Sequence, residues 1–423
     1  MTERVTLRKY PYPYRSALTI CSDIDFTTPE EFLEIHRFLN TQQRTSMGVG
    51  VGLEIGDSFW MYSAAPEPWR SLTLFNGLEP VEGPWSEMIL DFIRAGYLDC
   101  LHTYGDFNHY GGFRREMAVK AVDYLLDKGI QLRIWTNHGD LHNFQSINER
   151  LGLGDLKQWQ SANGDSFESV EYHMDLTRTL GITFLCGSRG VTQVWGQNRS
   201  LGLQEIFPLE RMSDPVNYLR WLYHQLRPGV RSFMENSLLE GIELRDGNSL
   251  FAFKRYGRCQ QDRSNDLGKV LSEKNLARLV RDESVAILYT HMGKRLQLEG
   301  PVIPEEFQEG LRRLEAHFRE RKVFVTTTSR LLNYLTVRRE LSFVVVKSED
   351  HLRITLKSKT QAEALGGITF YVDSPKRPRF FLGEKELELQ ENPKDHLQRK
   401  SYSVPLTPLS IEKLEPYFKT HVH

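Results

Sequence analysis

Ser16-Ala17-Leu18-Thr19-Ile20-Cys21-Ser22-Asp23-Ile24-Asp25 sets the structural class of the chain. Its first six residues are a short, mostly apolar run, and its last four turn abruptly polar and acidic. A run of that length, bounded by polar residues, reads as a buried strand ending in acid. Thr28-Pro29-Glu30-Glu31 then supplies an N-cap, a proline at the first helical position and acidic first-turn residues, and Phe32, Ile35 and Leu39 follow at helical spacing. The local order is strand, polar loop, helix.

Working outward, the same unit recurs. A helix-like run from Trp85 to Ala95 leads through Gly96 into Tyr97 to Leu101 and then His102-Thr103-Tyr104-Gly105-Asp106. Met117 to Lys128 leads through Gly129 into Ile130 to Trp135 and then Thr136-Asn137-His138-Gly139. Tyr172 to Leu180 precedes Ile182 to Cys186, Lys274 to Arg281 precedes Val285 to Tyr289 and His291, and Phe307 to Arg321 precedes Val323 to Thr326. Alternating strand and helix units of this length predict parallel strands with covering helices, either an open doubly wound sheet or a barrel. Both architectures gather functional groups at the carboxyl ends of the strands. Asp23, Asp25, His102, Asp106, His138 and His291 all fall at that edge.

From about Glu340 the pattern changes to short period-two runs separated by turn residues such as Asp373-Ser374-Pro375 and Glu391-Asn392-Pro393. We expect two parts, an α/β domain over 1–338 and a small C-terminal all-β domain of sandwich type over 339–423. The Gly48, Gly50, Gly52 alternation is followed by no dinucleotide fingerprint and reads as a glycine-rich strand, not a phosphate cradle.

Composition narrows the function class. The 54 basic and 55 acidic residues leave a net charge of -1, which gives no footprint for nucleic acid or an anionic membrane. A small or weakly charged substrate fits better. No 18-residue apolar stretch and no leader-like apolar run occurs, so no membrane span is expected and the location is expected to be cytoplasmic. Cys21, Cys100, Cys186 and Cys259 lie far apart and read as free thiols.

Asp23 and Asp25 are a candidate pair in which one carboxylate binds a cation while the other accepts a proton. His102 and Asp106 are four apart, a spacing used by metal ligands, with His109 as the competing ligand. One imidazole with carboxylates suits zinc or another divalent transition metal, with positions left for water and substrate. His291, ending the Val285 to Tyr289 run, can protonate a leaving group. Asn137, His138, Asp140 and His142 form a dense polar loop that can orient the base or touch substrate. Trp60, with Trp69 and Trp85, offers a sugar-stacking wall, against core packing as the default, and Trp195 with Arg189 and Gln197 is a similar, weaker case.

In this order the motifs resemble the NodB-type polysaccharide deacetylases of carbohydrate esterase family four, over about residues 14 to 336. The resemblance implies a distorted (β/α) barrel and metal-dependent removal of acetyl groups from an acetylated carbohydrate, with Asp23 as base, Asp25 and His102 as metal ligands and His291 as general acid. Three features depart from the family pattern. Ile24 separates aspartates that are normally adjacent, Asp106 stands where a second histidine is usual, and Arg133 to Gly139 replaces an arginine-proline motif. Two other readings are a glycoside hydrolase pairing Asp23 or Asp25 with Glu54 or Asp140, and a glycan-binding protein without activity.

Overall fold

A computed structural model describes residues 4–65, 72–107, 111–138, 143–147, 162–187, 191–192, 194–201, 235–257, 263–294, 299–357 and 362–419. In chain order its principal elements begin β1 (Arg4–Leu7), β2 (Ser16–Ser22), α1 (Pro29–Asn40), β3 (Gly56–Phe59), α2 (Ser86–Ala95), β4 (Leu98–Leu101), α3 (Arg115–Asp127), β5 (Ile134–Thr136), α4 (Met174–Thr179) and β6 (Phe184–Cys186). They continue with β7 (Leu239–Glu243), β8 (Ser249–Phe253), β9 (Arg255–Tyr256), α5 (Glu273–Arg281), β10 (Val285–Thr290), α6 (Glu305–Arg319), β11 (Val323–Val325) and α7 (Thr328–Glu340).

The chain is mixed α/β with a large, mostly parallel central sheet. Its order is β9-β10-β2-β3-β4-β5-β6-β8-β7, with β11 pairing the start of β2 and the short strand Val191–Thr192 pairing β9. Only β7 runs antiparallel to its neighbour. Strand β2 is buried along its whole length because both faces are covered. Ala17 and Cys21 pack with Cys100, Ile134, Phe184, Phe253 and Ile287 on one side. Leu18 and Ile20 pack on the other with Phe38, Leu276 and Leu311 from α1, α5 and α6. Full burial of each such aliphatic side chain contributes about 1.5–3 kcal/mol.

Local chemistry starts and stops the helices as the sequence implies. Thr28 is extended at the N-cap, its hydroxyl accepts from the Glu31 N–H, and the Glu31 carboxylate accepts in return from the Thr28 N–H. Gly96 closes α2 in the left-handed region at φ 83°, where a side chain would be strained. The Gly48 alternation yields only a two-residue strand, Gly48–Val49, hairpin-paired with Arg44–Thr45.

The C-terminal part adds β12 (Ser342–Lys347), β13 (His351–Lys357), β14 (Thr369–Asp373), β15 (Arg377–Leu382), β16 (Lys385–Leu387), β17 (Gln390–Asn392), β18 (Ser401–Ser403) and α8 (Glu415–Lys419). They make two four-stranded sheets, β12-β13-β15-β16 and β1-β14-β18-β17. Leu352, Ile354, Leu356, Phe370 and Phe380 share a core with Tyr334 and Val337 of α7. N-terminal β1 thus completes a sheet otherwise built more than 360 residues later, Arg4 pairing with Asp373. Leu414 and Phe418 return in the opposite sense and join the core around Phe92 of α2. Among the described residues, no helix is long and apolar enough to cross a membrane.

Candidate metal centre

Parallel register brings the polar strand ends together. Thr290 pairs with Ser22, so Asp23 and Asp25 leave β2 beside His291 at the end of β10, and the Asp23 N–H donates to Thr290 O at 2.9 Å. Strands β4 and β5 carry His102 and His138 to the same edge, with Ile134 pairing Cys100. Three histidines converge on one carboxylate. His102 Nε2 lies 3.1 Å from Asp25 Oδ1, while His138 Nε2 and His291 Nε2 lie 2.9 and 3.6 Å from Asp25 Oδ2. All four side chains are buried.

Ligand atoms of Asp25, His102 and His138 lie within 4.8 Å of one another, and this group could hold a metal ion. The donor set of two imidazoles and a carboxylate suits a divalent transition metal. Orientation agrees with that use. Although 3.1 Å apart, Asp25 Oδ1 and His102 Nε2 are not aligned as donor and acceptor, and both remain buried without a hydrogen-bond partner. Two buried polar atoms left facing each other cost stability unless a third group satisfies both, and a cation between them does so. The remaining ring nitrogens are held from behind, His102 Nδ1 by Thr136 O at 3.3 Å and His138 Nδ1 by the Asn143 amide at 2.9 Å. Asn143 Nδ2 faces His138 Nδ1, and binding a cation at Nε2 requires the amide to turn so that its oxygen accepts from Nδ1–H. Trp60 lies flat on the His102 ring at 5.3 Å and meets the His138 ring edgewise, fixing both planes.

The residues following Asp25 and His102 are conformationally unusual. Phe26 and Thr103 have φ of 62° and 57°, a region that costs a non-glycine residue energy and clusters at functional sites. Gly105, two residues further, passes so close to the Tyr62 carbonyl that a Cβ there would meet its oxygen at 2.4 Å.

Electrostatics separate the carboxylates. Burial pushes Asp25 upward, but His138, His291 and His102 outweigh it and hold the carboxyl well below the usual range. Burial lowers His138, and Asp25 more than reverses this, with Asp106 adding to the effect. Asp23 is ion-paired with Arg255, whose Nη1 contacts both carboxylate oxygens at 2.9 and 3.1 Å. Asp57, beside Ser22 on the neighbouring strand, is pushed up to about 8 by burial, with Asp23 adding to the rise against the lowering effect of the Ser58 N–H bond.

The sequence-derived residues are therefore distributed as follows. Asp25 and His102 sit together as expected, with His291 against the same carboxylate. His138, read as an orienting residue, joins the ligand group. Asp106 is half-buried in the short strand Gly105–Asp106 and acts on His138 through its charge. His109, Asp140, His142, Trp69 and Arg189 lie outside the described residues. Asn137 clamps the loop, accepting from Trp135 Nε1 and the Ile147 N–H. Trp60 is 1% exposed and is a wall of the centre, not an open sugar platform. Trp195 lies in the core packed by α5, its indole N–H donated to Asn275 O. Glu54 precedes β3 and binds Thr326 and Arg330, which follow β11.

Arg255 and Asp57 were not anticipated. Ser249 to Phe253 is an apolar run ending in Lys254-Arg255, the same strand-then-polar signal that marks the other site residues. No protein-family model matches the chain, and no curated protein matches its sequence.

Proposed function

We propose that this chain is a metal-dependent hydrolase of the polysaccharide deacetylase type, acting on an acetylated sugar or polysaccharide precursor, with zinc as the metal. The observation that carries this reading is the convergence of His102, His138 and His291 on Asp25 beside the Arg255-paired Asp23. It supplies a cation site, a proton acceptor and a proton donor at one sheet edge. A divalent cation held by Asp25, His102 and His138 would supply Lewis acidity, easing deprotonation of water and polarising the acyl oxygen. Asp23 accepts a proton from the attacking water. His291 gives a proton to the departing amine or hydroxyl as the acyl carbon–heteroatom bond breaks, leaving acetate.

The reading includes a distorted (β/α) barrel. Its support is that β8 and β9 are separated by Lys254 alone, yet β8 pairs with β6 and β9 with β10. One continuous segment thus links the two flanks of the sheet. The same reading takes the last 80 or so residues as an all-β domain, supported by the core shared between their two sheets.

The test is acetate release from N-acetylated chitooligosaccharides by zinc-loaded protein. Asp25→Ala and His102→Ala should each lower the rate by about 100-fold or more. Undiminished release in both variants would refute the assignment, and binding of the oligosaccharide with no release by wild type would make the chain a glycan-binding protein.

A further inference from the structure

Strand β12, Ser342-Phe343-Val344-Val345-Val346-Lys347, is the outermost strand of its sheet, and among the described residues its only strand partner is β13. Val344, Val345 and Val346 are 41%, 37% and 50% exposed. Sheet edges are usually blunted by charge, proline or a bulge, because unpaired N–H and C=O groups template another strand. Here three β-branched apolar residues occupy the middle of that edge instead.

The two faces of this sheet differ. Leu352, Ile354 and Leu356 of β13 point into the core, whereas His351, Arg353, Thr355 and Lys357 point outward. Register places Arg353 beside Arg379 and His351 beside Arg377 on that outer face, with Val346 and Val344 continuing the rows opposite Arg353 and Thr355. Arg353 and Arg379 both lie over the Phe381 ring, at 3.6 and 5.5 Å, and Arg379 pairs with Glu386. Like charges in directly paired positions destabilise a sheet. The face carries Arg353, Lys357, Arg377 and Arg379 against Glu386, with Arg353 also 3.9 Å from Glu384.

We propose that the outer edge of β12 is a docking site for an extended acidic segment of a partner protein, which adds as a further strand to the β12-β13-β15-β16 sheet. Val345 decides between strand addition and binding on one face. It points to the opposite side of the sheet from Val344 and Val346, so a ligand lying on the cationic face would leave it exposed, whereas an added strand flanks all three. The cationic face sets the partner's chemistry. Acidic side chains at alternate positions of the added strand would share that face, while the residues between them would be apolar and extend the Val345 side. At about 4.8 Å per strand, Arg353 and Lys357 of β13 lie about 10 Å from the added strand, roughly one Debye length, and Arg377 and Arg379 of β15 about 14 Å, so the attraction is long-range and salt-sensitive.

The probe is a fluorescently labelled peptide of roughly nine residues alternating Glu and Val, titrated into the full chain and followed by anisotropy. Saturable binding is expected, at least about tenfold tighter than for the matching Lys and Val peptide, and weaker at high salt. Val345→Lys and, separately, Val346→Glu should each weaken it by about tenfold or more while leaving the melting curve unchanged, since both side chains are exposed. Asp25→Ala should bind the peptide like wild type, which separates this site from the metal centre. Absence of saturable binding, equal binding by both edge variants, or retention by anionic vesicles but not by the acidic peptide would overturn the proposal. So would concentration-dependent self-association that Val345→Lys abolishes.

Discussion

Replacing Arg255 by Met removes the only cation in contact with the Asp23 carboxylate among the described residues and leaves a buried charge behind. Both partners are almost fully enclosed, with side chains 6% and 3% exposed. At 2.9 Å, with an effective dielectric near 20, the gross attraction is about 6 kcal/mol, most of it offset by withdrawing two charges from water. The intact pair is therefore worth little net, but breaking it exposes the uncompensated cost of the remaining ion, about 3–5 kcal/mol. Arg255→Met should fall by that amount in the free energy of urea unfolding of the metal-free protein at pH 7. Adding Asp23→Asn neutralises the orphan, and the double variant should return to within about 1.5 kcal/mol of wild type, recovering at least about 1.5–3.5 kcal/mol of the loss. The guanidinium also lies over the Tyr289 ring at 4.3 Å, a contact the methionine side chain partly replaces. An Arg255→Met protein within about 1 kcal/mol of wild type, or a double variant no more stable than the single, would refute the buried-pair account.

Asp57 gives a pH signature of defined sign. Its folded-state value of about 8 stands above the unfolded value near 3.9, so its contribution is fully present below about pH 4 and is lost as pH rises towards 8, at up to about 1.4 kcal/mol per unit. Asp57→Asn should flatten the pH dependence of the urea midpoint of metal-free protein between pH 5 and 7, and an unchanged slope would contradict it. Asn143→Ala removes the partner behind His138 and should weaken metal binding by about 10- to 100-fold in competition titrations with a chelating dye. Thr28→Ala deletes a capping box and should cost about 1 kcal/mol in thermal unfolding, whatever the metal content.

Features encoded locally were legible in the sequence. The Thr28 cap, the Gly96 stop and the strand endings at Asp23, His102 and His291 follow from spacing within a few residues, so the parallel sheet and the edge that carries the site could be read directly. What decides the ligand group is not local. His138 and His102 meet because β5 lies beside β4, and nothing in Asn137-His138-Gly139 distinguishes a ligand from a loop residue. Arg255 follows an antiparallel excursion through β7, which breaks the helix-strand rhythm that marked the other strand ends. Asp57 sits among aromatic residues in a long connection and becomes significant only when Ser22 is placed beside it. The pairing of β1 with β14 joins opposite ends of the chain, and no periodicity in either segment predicts it.

If Asp25, His102 and His138 form one metal centre, zinc titration of chelator-stripped protein by calorimetry reads it out. About one zinc per wild-type chain is expected, with affinity at least about 100-fold weaker in His138→Ala and changed by no more than about threefold in Asp106→Ala. Zinc binding unaffected by His138→Ala, or wild-type protein that takes up no metal, would contradict it.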